Sequence, residues 1–298
     1  MEIQQLRHFL AVVRHGSIGQ AAEMLNLSQP GLSRSIRALE EMLGLALFER
    51  KARGVTLTEH GRQLLTRAEV IVNEHDRAIA EARSASSLRS GDVRLGIHTV
   101  LREIGAVEAL SNFMTANPGI GLSVDVSSGL DLVEKVACAE LDMAFTLFPQ
   151  ERQGNIAHFE QLFVLPCRIY QRLGADRPIA GITQMADLID RSWALSGAVN
   201  FRRAFEVALV ALDLPFPQQF MQASSLGLIL DLMMERDMVT VLPERVANSP
   251  RMAGRLESCE ALAPGSLPDG GLVYRKEVLR LPAVRAITDC FRALAEGW

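Results

Sequence analysis

Residues 17 to 44, SIGQAAEMLNLSQPGLSRSIRALEEMLG, constrain this chain more than any other stretch: two short helical patterns flank Leu-Ser-Gln-Pro, and the second confines its apolar residues to one side. With Leu32 at zero on a helical wheel, Ile36, Leu39 and Leu43 fall within about 40° of it, whereas Pro30, Ser33, Arg34 and Arg37 fall between about 100° and 200°. Ser28 is placed to cap this helix, and Pro30 is tolerated in a first turn whose amides have no intrahelical partner. The preceding helix, about 19 to 25, turns Ala21, Ala22 and Leu25 inward. Two such helices joined by a tight turn match a geometry that lays the second in the DNA major groove; an αα-hairpin with a solvated face is the plainer alternative. Gln29 suits adenine, and Arg34 or Arg37 suits guanine O6/N7 or phosphate.

The charge distribution favours the first reading. The chain carries −4 overall, but residues 1 to 67 hold nine Lys and Arg against six Glu, a net +3, which leaves −7 on the other 231 residues. A cationic module on an acidic body suits a protein whose one end meets a polyanion. LGLALFERKARGVTLTEHGRQLL, residues 43 to 65, continues the pattern as a small β-wing with Arg50, Lys51 and Arg53 near its tip, leading into a helix capped by Thr58.

From Thr58 to about Ser87 the chain has one glycine, no proline and apolar residues at helical spacing, which predicts a helix of roughly 30 residues, about 45 Å long. Its apolar stripe suits a second copy of itself. SASSLRSGD, residues 84 to 92, reads as a linker. Beyond it, β-like runs at 93–97, 122–126, 142–148, 163–170, 192–195, 239–242 and 271–275 alternate with helical segments at 102–116, 130–139, 201–211, 225–235 and 283–295, which predicts an α/β fold with mainly parallel sheets.

Cys138, Cys167, Cys259 and Cys290 are scattered, with no metal-ligand spacing, and are expected to be packed thiols. The N-terminus lacks a signal-peptide layout and no apolar run has membrane-spanning length, so a cytoplasmic location without membrane attachment is expected. Nucleotide-binding glycine motifs, a nucleophile elbow and His-Glu-x-x-His are absent, the histidines do not cluster, and neither catalytic nor metal residues nor a cofactor is expected. An enzyme using His98 and a solute-binding module remain as competing readings.

Residues 1 to 65 closely resemble the winged helix-turn-helix of LysR-type transcriptional regulators, through LRHFLAVVRHGSIGQAAEMLNLSQPGLSRSIRALEEMLGLALFERKARGVTLTEHG. GDVRLGI, AELDMAF and VTVLP extend a looser similarity over the body. The resemblance implies a winged helix-turn-helix over 1–57, a dimerising linker helix over 58–88, a hinge at 89–91, and a periplasmic-binding-protein-like effector domain. Its two α/β subdomains would comprise 92–162 with 269–298, and 163–268. It implies that Gln29, Pro30, Ser33 and Arg34 face bases, with Ser28 at the helix start and Arg37, Arg50 and Arg53 in support. Promoter duplex DNA, a homotetramer built on the linker-helix dimer, and RNA polymerase are the implied partners.

Open α/β sheets bind ligands where strands end and helices begin. That places a small-molecule effector, expected to be an organic anion, near Thr99, Ser128, Thr146, Asn200 and Phe201. Arg202 and Arg203 open a helix and either favour a carboxylate or form a solvated face. Many relatives have a glycine-rich turn where this chain has Arg236, Asp237 and Met238, a bulkier lip expected to shrink one edge of the pocket.

Overall fold

The computed structural model describes residues 1–51, 54–84, 91–127, 129–147, 157–197, 199–261 and 269–298. They divide into two compact units, Met1–Gly91 with Glu134–Leu141, and Asp92–Val133 with Asp142–Trp298.

In the first unit, α1 (Ile3–His15), α2 (Ile18–Met24) and α3 (Gln29–Leu43) precede a hairpin of β1 (Phe48–Lys51) and β2 (Gly54–Leu57), and then α4 (Glu59–Ser84). Ser17 Oγ accepts from Gln20 N to start α2, and Ser28 Oγ accepts from Gly31 N to start α3, so both helix starts follow from local cap chemistry. Thr58 accepts from Gly61 N at 3.0 Å while its hydroxyl donates to Ala46 O at 2.7 Å. One core gathers Leu6, Phe9 and Val12 of α1, Ala21 and Ala22 of α2, Leu32, Ile36 and Leu39 of α3, and Ala68 and Val72 of α4. Gly54 has φ +123°, and a Cβ there would meet Gly16 O at 2.3 Å, so only glycine lets the hairpin approach the end of α1 this closely.

The second unit contains two five-stranded sheets. The first has the order β4 (Gly121–Ser127), β3 (Asp92–His98), β5 (Met143–Leu147), β12 (Gly270–Tyr274), β6 (His158–Phe163). The second has the order β11 (Leu256–Ser258), β7 (Cys167–Arg172), β10 (Met238–Pro243), β8 (Ser192–Ser196), β9 (Phe220–Ala223). The expectation of mainly parallel sheets is corrected: β3 pairs parallel with β4 and β5, and β8 with β9 and β10, but β12 and β7 pair antiparallel with both neighbours. The single strand expected at 163–170 is two strands in different sheets, because the chain leaves one sheet after Phe163 and enters the other at Cys167.

Helices α5 (Thr99–Leu101), α6 (Val107–Ala116), α7 (Gly129–Ala137), α8 (Val199–Ala211), α9 (Leu226–Glu235), α10 (Glu244–Ala247) and α11 (Pro282–Glu296) complete the chain. The helix expected over 102–116 is interrupted: Ile104 and Gly105 leave helical geometry, with Gly105 at φ +118°, and the regular helix resumes only at Val107. Val100 and Ile104, on this kinked segment, pack against the hydrophobic cores of both sheets.

Candidate functional site

The recognition-type face on α3 is built as the wheel predicts. Leu32, Ile36 and Leu39 are buried, while Ser28, Gln29, Pro30, Arg34 and Arg37 are exposed and Ser33 is half-buried. Neither Arg34 nor Arg37 engages another side chain among the described residues. Two unpaired guanidinium groups on a helix whose other side is buried form a surface with polyanion chemistry. Lys51, at the end of β1, is exposed and lies 3.2 Å from Glu49. Arg53 lies outside the described residues, and Arg50 falls in β1 with its side chain outside them.

Sequence reasoning missed the polar supports of α3. His8, buried on α1, has Nδ1 2.7 Å from Ser35 Oγ and Nε2 3.0 Å from Gln4 Nε2. Glu40 Oε1 accepts from Leu47 N at 2.7 Å and Phe48 N at 3.2 Å, which fixes the hairpin to the C-terminal half of α3. The signal for Glu40 was its place beside the buried Leu39; His8 carried none, since histidine in a helix is commonly a surface residue.

In the body, Thr99 stands half-buried at the C-terminal end of β3. Helix capping, the plain alternative for its hydroxyl, falls to its neighbour: His98 Nδ1 accepts from Val100 N at 3.2 Å. Burial pushes the His98 pKa down to about 4, so its ring is neutral at pH 7 with the proton on Nε2. Thr146, expected among the effector contacts, lies in β5, both faces of which are covered; it is 0% exposed and its hydroxyl donates to Leu147 O at 3.3 Å. Ser128 lies outside the described residues; Asn200 and Phe201 fall in the first turn of α8 with their side chains outside them.

Arg202 is not poised for a carboxylate. Its Nε donates to Glu206 at 2.8 Å and its Nη1 to Gln222 at 3.1 Å, and its guanidinium lies 5.5 and 5.6 Å from the rings of Phe216 and Phe220. The lip reading of Arg236, Asp237 and Met238 is also corrected. Arg236 and Asp237 precede β10 and Met238 opens it, so they lie at the end of the parallel strands opposite to Thr99-type positions. There, with Arg172, Ser192 and Gln219, they line an open depression of about 620 Å³, and Asp237 pairs with Arg172 and accepts from Asp176 N at 2.8 Å.

Glu103, on the kinked segment, is nearly buried, pairs with Arg102 and lies 3.8 Å from Arg251, which also pairs with Asp231. This chain of charges runs beside Val100 and Ile104, which pack against the cores of both sheets. Burial raises the thiol pKa values of Cys138, Cys259 and Cys290. Among the described residues no three His, Cys, Asp or Glu are arranged to hold a metal, and no helix is long and apolar enough to cross a membrane.

Comparison with known proteins gives a consistent result. Residues 3–62 match the model of the bacterial regulatory helix-turn-helix protein, lysR family, and residues 86–296 match that of the LysR substrate binding domain. The SDS degradation transcriptional activation protein of a Pseudomonas species is 34% identical over 301 residues, covering 96% of this chain and 94% of that protein. The HTH-type transcriptional regulator GbpR of Azospirillum brasilense is 24% identical, covering 99% and 87%. Among solved structures, full-length CbnR complexed with its target DNA aligns over 99% of this chain and 100% of that one, with TM-score 0.62 at 20% identity.

Proposed function

This chain belongs to the LysR family of DNA-binding transcriptional regulators, whose members here are regulators and not enzymes, and from that premise we propose that it reads promoter DNA with α3 and answers a small organic anion held between its two α/β subdomains. The observation that carries the first half is the pair of unengaged guanidinium groups, Arg34 and Arg37, on the exposed side of a helix whose other side is fully packed. Gln29, Pro30, Ser33 and Arg34 read bases; Arg37, Lys51, Arg50 and Arg53 bear on groove and phosphates.

Thr99 and the starts of α7 and α8, with Ser128, Asn200 and Phe201, form the effector site over the buried Thr146, and helix amides there favour a carboxylate or sulfate. An effector acts by binding one separation of the subdomains more tightly than another, and it shifts that equilibrium only by the difference. On α4, Ile71, Ala78, Ile79 and Ala82 form an exposed apolar stripe, and a second copy of α4 covers it in the dimer from which a homotetramer is built. RNA polymerase is the downstream partner.

The test is footprinting on the intergenic duplex upstream of the chain's own gene. Protection by the parent that Arg34→Ala abolishes while the oligomer persists supports the reading; unchanged protection refutes the recognition helix. For the effector, thermal shifts with a panel of organic anions, with dodecyl sulfate included because the Pseudomonas relative is named for SDS degradation, identify the ligand class.

A further inference from the structure

We propose that His8 is a positioning residue of the DNA-reading surface: through Ser35 it sets the rotation of α3 about its own axis. The inference rests on the reading of α3 as the recognition helix.

Three contacts hold α3, and they differ in kind. The stripe of Leu32, Ile36 and Leu39 supplies most of the burial, but apolar packing is largely non-directional and resists rotation only through shape. Glu40 ties the C-terminal half to Leu47 N and Phe48 N. His8 acts in the N-terminal half, one residue beyond Arg34, where the side chains that would enter the groove are carried. A rotation of about 15° would carry a guanidinium roughly 8 Å from the helix axis through about 2 Å, more than a bidentate base contact tolerates.

The orientation of the Gln4 amide assigns the His8 tautomer. Gln4 presents its amide nitrogen to Nε2, and an amide nitrogen can only donate; Nε2 therefore accepts, Nδ1 carries the proton, and Nδ1–H donates to Ser35 Oγ at 2.7 Å. Burial lowers the pKa of His8, which keeps the ring in the neutral form that this relay requires. The Gln4 bond lies within α1 and holds the ring, and the second bond alone crosses to a single hydroxyl on α3, so a packing residue of the same volume would fill the space without orienting the helix.

The experiment uses the full chain and two duplexes of equal length and composition, the upstream intergenic sequence and a scrambled control, and reads the ratio of the two affinities. His8→Leu is expected to lower that ratio at least tenfold while leaving affinity for the scrambled duplex and the melting temperature near the parent values. His8→Asn, whose amide nitrogen can occupy the place of Nδ1, should restore most of the ratio. Ser35→Ala should match His8→Leu, and the double variant should be no worse than either single one, since both remove the same bond. An undiminished ratio in His8→Leu, or additive losses in the double variant, overturns the positioning role. If His8→Leu does not fold, Ser35→Ala and His8→Asn decide the question by the same ratio. A parent that fails to discriminate between the duplexes overturns the DNA-reading proposal itself, whereas a discriminating parent with an equally discriminating Ser35→Ala overturns only the part played by His8.

Discussion

Arginines on α3 and arginines in the second unit are the same chemical group in opposite conditions. Arg34 and Arg37 engage no side chain among the described residues. In the body, Arg94 pairs with Asp142, Arg102 and Arg251 with Glu103, and Arg202 with Glu206. An exposed guanidinium facing only water keeps its full capacity to bind a polyanion, whereas one already satisfied would have to break its own contacts first. Unspent cations therefore mark a surface that waits for an external partner, and spent ones mark internal structure. The same contrast separates Thr99, whose hydroxyl is relieved of capping by His98, from Thr146, which is buried within β5.

The contrast can be tested from its largest consequence downward. Phe9→Ala removes a fully buried ring from the core under α3 and should cost about 3–5 kcal/mol; calorimetry should show the loss in the transition of the DNA-binding unit, and an equal loss in the body would break the division between the two. Acid should act on the body through His98. Its folded pKa of about 4 lies below the ordinary 6.5, so the unfolded chain takes up the proton first; the stability present above pH 6.5 declines by about 3 kcal/mol as pH falls toward 4. His98→Leu should flatten urea midpoints measured between those pH values. Arg34→Ala should cost about 1–3 kcal/mol of discrimination between promoter and scrambled duplex, while Arg37→Ala should weaken binding to both and lower the salt slope by about one. The smallest effect belongs to Arg202→Ala: if the group is already spent, effector-induced thermal shifts remain at the parent value and stability changes by less than about 1 kcal/mol.

Legibility followed the range of the interactions. The caps at Ser28 and Thr58 and the buried stripe of α3 depend on residues within four positions of each other, and all three stand in the structure as read. Strands β9 and β11 went unread because they are short, β6 because HFEQLF lacks alternating hydrophobicity, and β7 was fused with the exit from the first sheet. The kink at Gly105 was invisible because glycine within a helical pattern does not announce its φ. His8 illustrates the same limit within the best-read unit: its partner Ser35 lies 27 positions away, beyond any periodicity argument.

What the sequence determined by itself was the outward face of α3 and the alternation of helices and strands behind it, since periodic burial and end caps are settled between near neighbours on one element. Tertiary structure alone decided which strands pair antiparallel, that β5 is enclosed between β3 and β12, and that Arg202 is held by Glu206 and Gln222. Those outcomes depend on segments brought together from distant parts of the chain, where burial and charge pairing are properties of the assembled surface and of no single stretch.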